Sequence, residues 1–188
     1  MLGCDGFSMP TSLSALLRDL DAWPERIPLV ELESALAGLA ISLEDVRAHL
    51  AFGADTYRRN LVHAGPAYQA LVLCWRNGQR SPIHDHAGSS CGLRVLSGEA
   101  LETVFDRTRA GMVYAVRSHV LGAGSVCATQ DSDIHQVSNL AEDGSDLVTL
   151  HVYSPALLNM GTYSLLDAHV RPIHEPVHED LLLDGGGI

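Results

Sequence analysis

The first fifty residues place apolar side chains at helical spacing. In TSLSALLRDLDAW the apolar positions recur every three or four residues, and Thr11 and Ser12 precede them as candidate caps. ELESALAGLA and SLEDVRAHLA have the same texture, and the second begins at Ser42 with Asp45 three residues later, a weak capping-box signal. The pattern predicts a helical part over residues 1–55.

From about Tyr68 the chain changes to short β-type runs separated by glycine and polar turns. These runs are YQALVLCW, GLRVLSGEALETVF, MVYAVRSHVL, SVCAT and DLVTLHVYS. Short strands in such regular succession are typical of a sandwich or barrel, here expected over residues 56–168. Residues 169–188 carry two prolines, three histidines and a GGG, which predicts a partly ordered C-terminal extension. With 188 residues, the chain is predicted to form a single, mainly β domain.

The last of these runs, LVTLHVYS, alternates strictly. A side-chain period of two places Thr149, His151 and Tyr153 on one face of a strand and only apolar residues on the other. A hydrogen-bonded ladder on a solvent-exposed face would explain such a polar row. A row that faces a barrel interior and supports a functional site is the favoured explanation.

Charge and cysteine usage narrow the classes of partner. The formal net charge of −11, from 23 acidic and 12 basic side chains, disfavours nucleic acid and anionic membrane surfaces and favours small molecules. No secretory leader and no long apolar run is present, so a cytoplasmic location is expected, and no obligate protein partner is implied. The four cysteines form no CxxC pair, and Cys4, Cys74 and Cys127 are interpreted as structural.

Two of the ten histidines have a spacing that suggests metal binding. In IHDHAGSSC, His84 and His86 would point to one face of a strand, with Asp85 on the other. Alone this HxH pattern is a weak signal in a histidine-rich chain. The remaining isolated histidines are interpreted as surface, satisfied core or tail residues, namely His49, His63, His119, His169, His174 and His178.

The surroundings of this pair resemble the cupin superfamily. GQRSPIHDHAGSSCGLRVLSG is similar to the first cupin motif, G(X)5HXH(X)4E(X)6G, with Cys91 in the place of the glutamate. HQVSN, from His135 to Asn139, resembles the end of the second motif, although the upstream half of that motif is poor. The resemblance implies a cupin double-stranded β-helix, a jelly-roll barrel preceded by helices. It also implies that His84, His86 and His135 hold a divalent metal with open coordination positions.

Residues 57–155 are similar to the thiol dioxygenases, most closely to the cysteine dioxygenases. YRRNLV resembles that family's substrate segment, and LCW, IHDH, HQVSN and LHVYSP follow in the family's order and spacing. The resemblance implies Fe(II) as the cofactor. The implied reaction adds both atoms of O2 to the sulfur of L-cysteine and gives cysteine sulfinic acid, a step of cysteine catabolism.

The same resemblance implies how the substrate is bound. Arg59 would pair with the substrate carboxylate through its guanidinium fork, which lysine could not reproduce. Tyr57 would assist through a hydroxyl hydrogen bond. The residues alone leave open whether Arg58 or Arg59 points inward.

The resemblance also offers a reason for the unusual Cys91. It implies a thioether bond from Cys91 to the catalytic Tyr153, although a small apolar side chain packed in the barrel remains an alternative for this cysteine. His151 would orient the Tyr153 hydroxyl, with Thr149 behind it, where the family more often has serine.

Three other functions remain open. A 3-mercaptopropionate dioxygenase would share the three-histidine iron site, but such enzymes often lack the crosslinking cysteine and the arginine at position 59. A non-catalytic cupin that binds ligands could keep HxH without the polar row around His151. A zinc or manganese cupin isomerase would be expected to have a carboxylate ligand where Cys91 stands.

Overall fold

The computed structural model describes residues 11–179, so Cys4 and residues 180–188 lie outside the described part. Three helical segments come first: α1 Leu13–Asp21, α2 Leu29–Ala37 and a 3-10 helix Glu44–His49. The hydroxyl of Ser12 caps α1 by accepting from the backbone N–H of Ala15.

The third helical segment is shorter than the sequence predicts. SLEDVRAHLA forms six residues of 3-10 helix, preceded by a turn in which the backbone N–H and the hydroxyl of Ser42 both donate to Asp45 at 2.7 Å. Val46 is the one residue buried along this segment. Because its apolar contact with the core is so small, packing does not favour a longer amphipathic helix here.

Two antiparallel sheets make up the rest of the described chain, as the mainly β prediction requires. The five-stranded sheet has the order β1-β2-β9-β4-β7, with bounds Arg58–Ala64, Gln69–Trp75, Leu147–Ser154, Ser90–Ser97 and Val126–Gln130. The six-stranded sheet has the order β11-β10-β3-β8-β5-β6, with bounds Arg171–His174, Asn159–Tyr163, Ile83–His84, Ile134–Ser138, Glu99–Arg107 and Val113–Gly122.

All five runs predicted to be strands form strands. The run GLRVLSGEALETVF forms two of them, β4 and β5, separated at Gly98, whose φ of +81° an L side chain rarely adopts. A Cβ at this position would also lie 2.5 Å from the carbonyl oxygen of Asp146. The glycine therefore allows both the turn and the close approach of the neighbouring strand.

The helices cover the outer face of the five-stranded sheet. Leu32 and Leu36 of α2 pack there in a core cluster with the apolar residues of β9, namely Val148, Leu150 and Val152. Gly92 of β4 lets α2 approach, since a Cβ on it would lie 2.6 Å from the Leu36 side chain. A second apolar cluster fills the space between the two sheets and includes Leu71, Leu73 and Trp75. Both faces of β9 are therefore buried.

The chain after β11 links the outer edges of the two sheets. β11 pairs with β10 at the edge of the six-stranded sheet. Farther on, His178 exchanges backbone hydrogen bonds of 2.8 Å with Leu61 and Arg59 on β1, the edge of the other sheet. We call residues 171–178 the C-terminal strap. Part of the extension predicted to be only partly ordered is thus built into the fold.

No helix between residues 11 and 179 is long and apolar enough to cross a bilayer.

Candidate active site

Three buried histidines converge at one end of the six-stranded sheet. His84 at the end of β3 and His135 on β8 are direct cross-strand partners, with ring centroids 4.7 Å apart. His86 lies beyond the end of β3, and its ring is 5.4 Å from that of His84 and 4.8 Å from that of His135. One nitrogen from each ring can be chosen so that all three lie within 4.8 Å of one another. The structure therefore brings together the three histidines that the sequence predicts to hold a metal.

Asp85, between the first two histidines, fixes the turn that carries His86. Its carboxylate accepts hydrogen bonds from the backbone N–H groups of Ala87 and Gly161 and from the hydroxyl of Tyr163. These donors hold the Asp85 side chain away from the histidine rings. Asp85 therefore points away from His84 and His86, as it would on a continuous strand, although β3 ends at His84.

The three rings are suited to a divalent metal. Burial, reinforced by repulsion from His135, lowers the pKa of His84 to about 3, and burial also holds the pKa of His86 well below its usual range. Nδ1 of His84 lies 3.0 Å from the carbonyl oxygen of Pro82, which leaves Nε2 to act as a ligand. Nδ1 of His86 is buried and has no hydrogen-bond partner among residues 11–179. Neutral imidazoles with unpaired nitrogens are typical ligands of first-row divalent metals.

Glu102 on β5 supports this cluster and was not anticipated from the sequence. One carboxylate oxygen lies 2.7 Å from Nδ1 of His135, and the other lies 3.0 Å from Nε2 of His119. Sγ of Cys127 is 3.2 Å from the same carboxylate. Burial alone would raise the pKa of Glu102, but the hydrogen bond and charge of His135, with smaller contributions from Cys127 and His119, lower it. The carboxylate is thus held ionised, and it orients His135 so that Nε2 is available as a ligand.

His119 and Cys127 therefore do more than the sequence interpretation assigned to them. Both side chains contact Glu102, and together with Glu102 and His135 they line an open cavity. The sequence signal that could have identified Glu102 is its place in EALETVF, two residues after the fully buried Ala100, which puts both side chains on the inward face of the strand. A carboxylate at an inward position is rarely buried without a partner.

The facing sheet contributes Arg59 from β1. Its side chain is 97% buried and donates from Nη2 to the carbonyl oxygen of Leu157 at 3.1 Å, whereas Nε and Nη1 have no hydrogen-bond partner within the described chain. Arg58 lies on the other face of the strand, where its Nε donates to Asn60. The structure thereby resolves which of the two arginines points inward.

Tyr57 lies next to Arg59 and is also buried. Its ring stacks on Trp75 with centroids 4.1 Å apart, and its hydroxyl donates to Glu175 at 2.5 Å. Burial and the neighbouring Glu175 carboxylate raise the pKa of Tyr57 well above its usual value. The single hydroxyl proton of Tyr57 is therefore engaged by the C-terminal strap.

The polar row of β9 faces the space between the sheets. The Tyr153 hydroxyl lies 2.9 Å from Nδ1 of His151, whose Nε2 lies 3.0 Å from the Thr149 hydroxyl. Trp75 extends the row by donating its indole N–H to Thr149 at 3.0 Å. Burial holds the pKa of His151 well below its usual range, so a neutral ring connects the two hydroxyl groups. Because the row is buried, the solvent-exposed ladder considered from the sequence is excluded.

Cys91 and Tyr153 stand directly opposite each other on β4 and β9. Both are buried, and their side chains are close enough to hydrogen bond. Burial raises the pKa of the Cys91 thiol to about 12, so the sulfur is held in its protonated form. The Arg59 guanidinium lies over the Tyr153 ring, 5.5 Å from its centroid.

One cavity joins these groups. It lies between the sheets, with two of the candidate metal-binding histidines on one side and the substrate-binding candidates and the polar row on the other. Its walls include His84, His135, Arg59, Tyr57, His151, Tyr153, Trp75 and Met160. The arrangement can hold a metal ion, bind a small anion beside it, and present a phenol hydroxyl to both.

Comparisons with known proteins agree with this architecture. The family model described as "Cysteine dioxygenase type I" matches residues 10–165. The chain is 30% identical to cysteine dioxygenase type 1 of Danio rerio over 168 residues, which cover 85% of this chain and 83% of that protein. It is 32% identical to cysteine dioxygenase type 1 of Homo sapiens over 166 residues, which cover 78% and 82%.

Solved structures support the fold alone. A protein of Thermus thermophilus aligns with a TM-score of 0.51 at 18% identity, covering 62% of this chain and 99% of its own. An uncharacterised Klebsiella pneumoniae protein with a double-stranded β-helix domain aligns with a TM-score of 0.50 at 16% identity, covering 66% and 90%. The similarity to the second protein agrees with the double-stranded β-helix predicted from the sequence.

Proposed function

The chain belongs to the cysteine dioxygenase type I family, and on that premise we propose that it is an Fe(II)-dependent dioxygenase converting L-cysteine and O2 to cysteine sulfinic acid. The observation that carries the substrate assignment is the pair of donors without hydrogen-bond partners on buried Arg59, in the cavity that His84 and His135 line. A buried guanidinium with unsatisfied N–H groups favours a small carboxylate ligand. A cytoplasmic location is part of the proposal.

His84, His86 and His135 would hold the iron. Bound by three neutral imidazoles, Fe(II) would keep its full charge, favour the substrate thiolate over the thiol, and supply the redox chemistry with O2. Glu102 would keep His135 in the tautomer that leaves Nε2 unprotonated. The chain's own contribution at this point is the orientation of the three rings and the exclusion of bulk water.

Arg59 would bind the substrate carboxylate from the opposite sheet. Its position across the cavity from the histidines would hold one end of the amino acid and orient the thiol and amine toward the three histidines. Tyr57, next to Arg59 and stacked on Trp75, would border the substrate on the same side.

The Tyr153 hydroxyl would be the polar group beside the reacting atoms. His151 and Thr149 can carry their protons in two arrangements, one that leaves the Tyr153 proton free to donate and one that makes it a donor to His151. A thioether bond between the Cys91 sulfur and a ring carbon of Tyr153 would hold the phenol in one position. Its formation breaks the S–H bond and one ring C–H bond, and the two electrons would pass to O2, the co-substrate of the proposed reaction. Their opposition in the β4–β9 register supports this proposal.

Oxygen consumption by Fe(II)-loaded protein tests the function. L-cysteine and 3-mercaptopropionate are compared side by side, with sulfinate identified by mass spectrometry. We expect Arg59→Gln to lower kcat/KM for L-cysteine by about 10²-fold, since truncating a buried charge pair costs about 2–5 kcal/mol. Arg58→Gln is the matched control and should stay within about threefold of the wild type.

Each outcome separates the candidates. A wild-type preference for 3-mercaptopropionate would keep the iron chemistry and overturn the proposed substrate. Oxygen uptake with neither thiol would favour a binding cupin. Bound zinc or manganese in place of iron, in protein expressed without added metal, would favour an isomerase.

A further inference from the structure

The C-terminal strap places a carboxylate against the residues that would bind the substrate carboxylate. Glu175 follows β11 directly, accepts a hydrogen bond from the Tyr57 hydroxyl at 2.5 Å and lies 3.9 Å from Nη1 of Arg59. Its side chain is only 14% exposed. The backbone is anchored on both sides, by β11 before it and by the hydrogen bonds of His178 to β1 after it. Glu175 is therefore held in the wall of the site.

The position of Glu175 also affects the charge balance of the site. Arg59 is almost fully buried, and Glu175 is the one carboxylate paired with it in the described part of the chain. A buried cation is costly without a counter-charge. Glu175 supplies that charge, yet at 3.9 Å it satisfies neither Nε nor Nη1 of the guanidinium. Glu175 thus neutralises the charge of the Arg59 guanidinium, which we call the substrate clamp, while its Nε and Nη1 donors remain available for hydrogen bonds.

Resting on the proposed function, we propose that Glu175 is the internal counter-ion of the substrate clamp and sets the affinity for thiols that carry a carboxylate. A substrate carboxylate at Arg59 would lie near the negative Glu175 and share one guanidinium with it. Glu175 also holds the only proton that Tyr57 could donate to that substrate. All three effects weaken binding of the substrate carboxylate. Glu175 therefore lowers the affinity for substrate, while it stabilises the buried Arg59 in the ligand-free folded protein.

Binding of L-cysteine to the Fe(II)-loaded protein without oxygen is the direct test. Neutralising the counter-ion in Glu175→Gln should tighten the Kd for L-cysteine by about threefold to tenfold, as expected for removing a nearby like charge. Cysteamine, which has the thiol and amine but no carboxylate, should not bind more tightly. The melting temperature of the ligand-free variant should fall because Arg59 loses its counter-charge. Glu179→Gln, at an exposed position beyond the strap, is the matched control and should change none of these values.

The outcomes distinguish this inference from the proposed function. If Glu175→Gln binds L-cysteine no more tightly, or tightens cysteamine equally, the counter-ion role is overturned and Glu175 is only structural. Glu175→Ser is the second variant, to be used if the glutamine variant does not fold, and the same Kd shift is expected of it. If the Glu175 variants show the expected shifts but the wild-type protein consumes no oxygen with L-cysteine, the proposed reaction is overturned and the role of Glu175 stands.

Discussion

Glu102→Gln removes a buried negative charge behind the candidate metal site while keeping the shape of the side chain. In the wild-type protein the Glu102 carboxylate lies 2.7 Å from Nδ1 of His135, so the hydrogen bond is assisted by charge. Hydrogen bonds to charged groups contribute about 1.5–3 kcal/mol and neutral ones about 0.5–1.5 kcal/mol, which gives a loss of roughly 1–1.5 kcal/mol at His135. This difference corresponds to about a tenfold weaker metal affinity.

The amide can make the loss larger. If its NH2 group turns toward His135, Nδ1 must accept, the proton moves to Nε2, and that nitrogen can no longer act as a ligand. We therefore expect roughly a 10-fold to 100-fold increase in the Kd for Fe(II), the range typical for residues that orient metal ligands. The assay is anaerobic competition with a chelator of known affinity, with thermal melting as a check of folding.

A matched variant on the outer side of the same carboxylate provides the control. His119 contacts the other oxygen of Glu102 at 3.0 Å and is 39% exposed, so His119→Gln should change the Kd by less than about threefold. An unchanged Kd in Glu102→Gln, or an equal loss in His119→Gln, would refute the view that Glu102 acts by orienting His135.

Three further predictions concern other parts of the structure. The proposed thioether between Cys91 and Tyr153 would lower the intact mass by two hydrogens after turnover and disappear in Cys91→Ser; an unmodified wild-type mass would count against it. Because the pKa of His151 is depressed in the folded protein, its contribution to stability is complete above the unfolded pKa of about 6.5 and is lost as the pH falls toward the folded value, at about 1.4 kcal/mol per unit. Urea unfolding of metal-free protein between about pH 7 and 5.5 should therefore be less pH-dependent in His151→Gln, and equal slopes would contradict this. Gly92→Ala should cost about 1–3 kcal/mol, seen as a lower urea midpoint, because its Cβ would lie 2.6 Å from Leu36; an unchanged midpoint would show that α2 can shift.

The sequence predicted the fold class and the central strands because their patterns are local. β2 is a nearly continuous apolar run, β9 alternates, and the apolar residues of the first helices recur at helical spacing. Each of these segments could therefore be assigned as strand or helix from its own sequence. The strands that were not predicted are β1, β8, β10 and β11, and β3 was expected only as the strand that carries the HxH pair. β3 has only two residues, and Arg171–His174 is half proline and histidine. Their pairing depends on neighbours distant in the chain, which no local pattern records.

By itself, the sequence determined the chemistry of the candidate site: an HxH pair, a distant histidine, a cysteine in the place of a carboxylate, and an alternating polar row. The direction of Arg59, the opposition of Cys91 and Tyr153, and the contacts of Glu102 and Glu175 were decided only by the tertiary structure. These features depend on the register between strands and on which sheet edge the C-terminal strap reaches. Register is set by the packing of whole faces against one another, so residues that carry no motif of their own, such as Glu102 and Glu175, acquire their partners only when the two sheets close around the cavity.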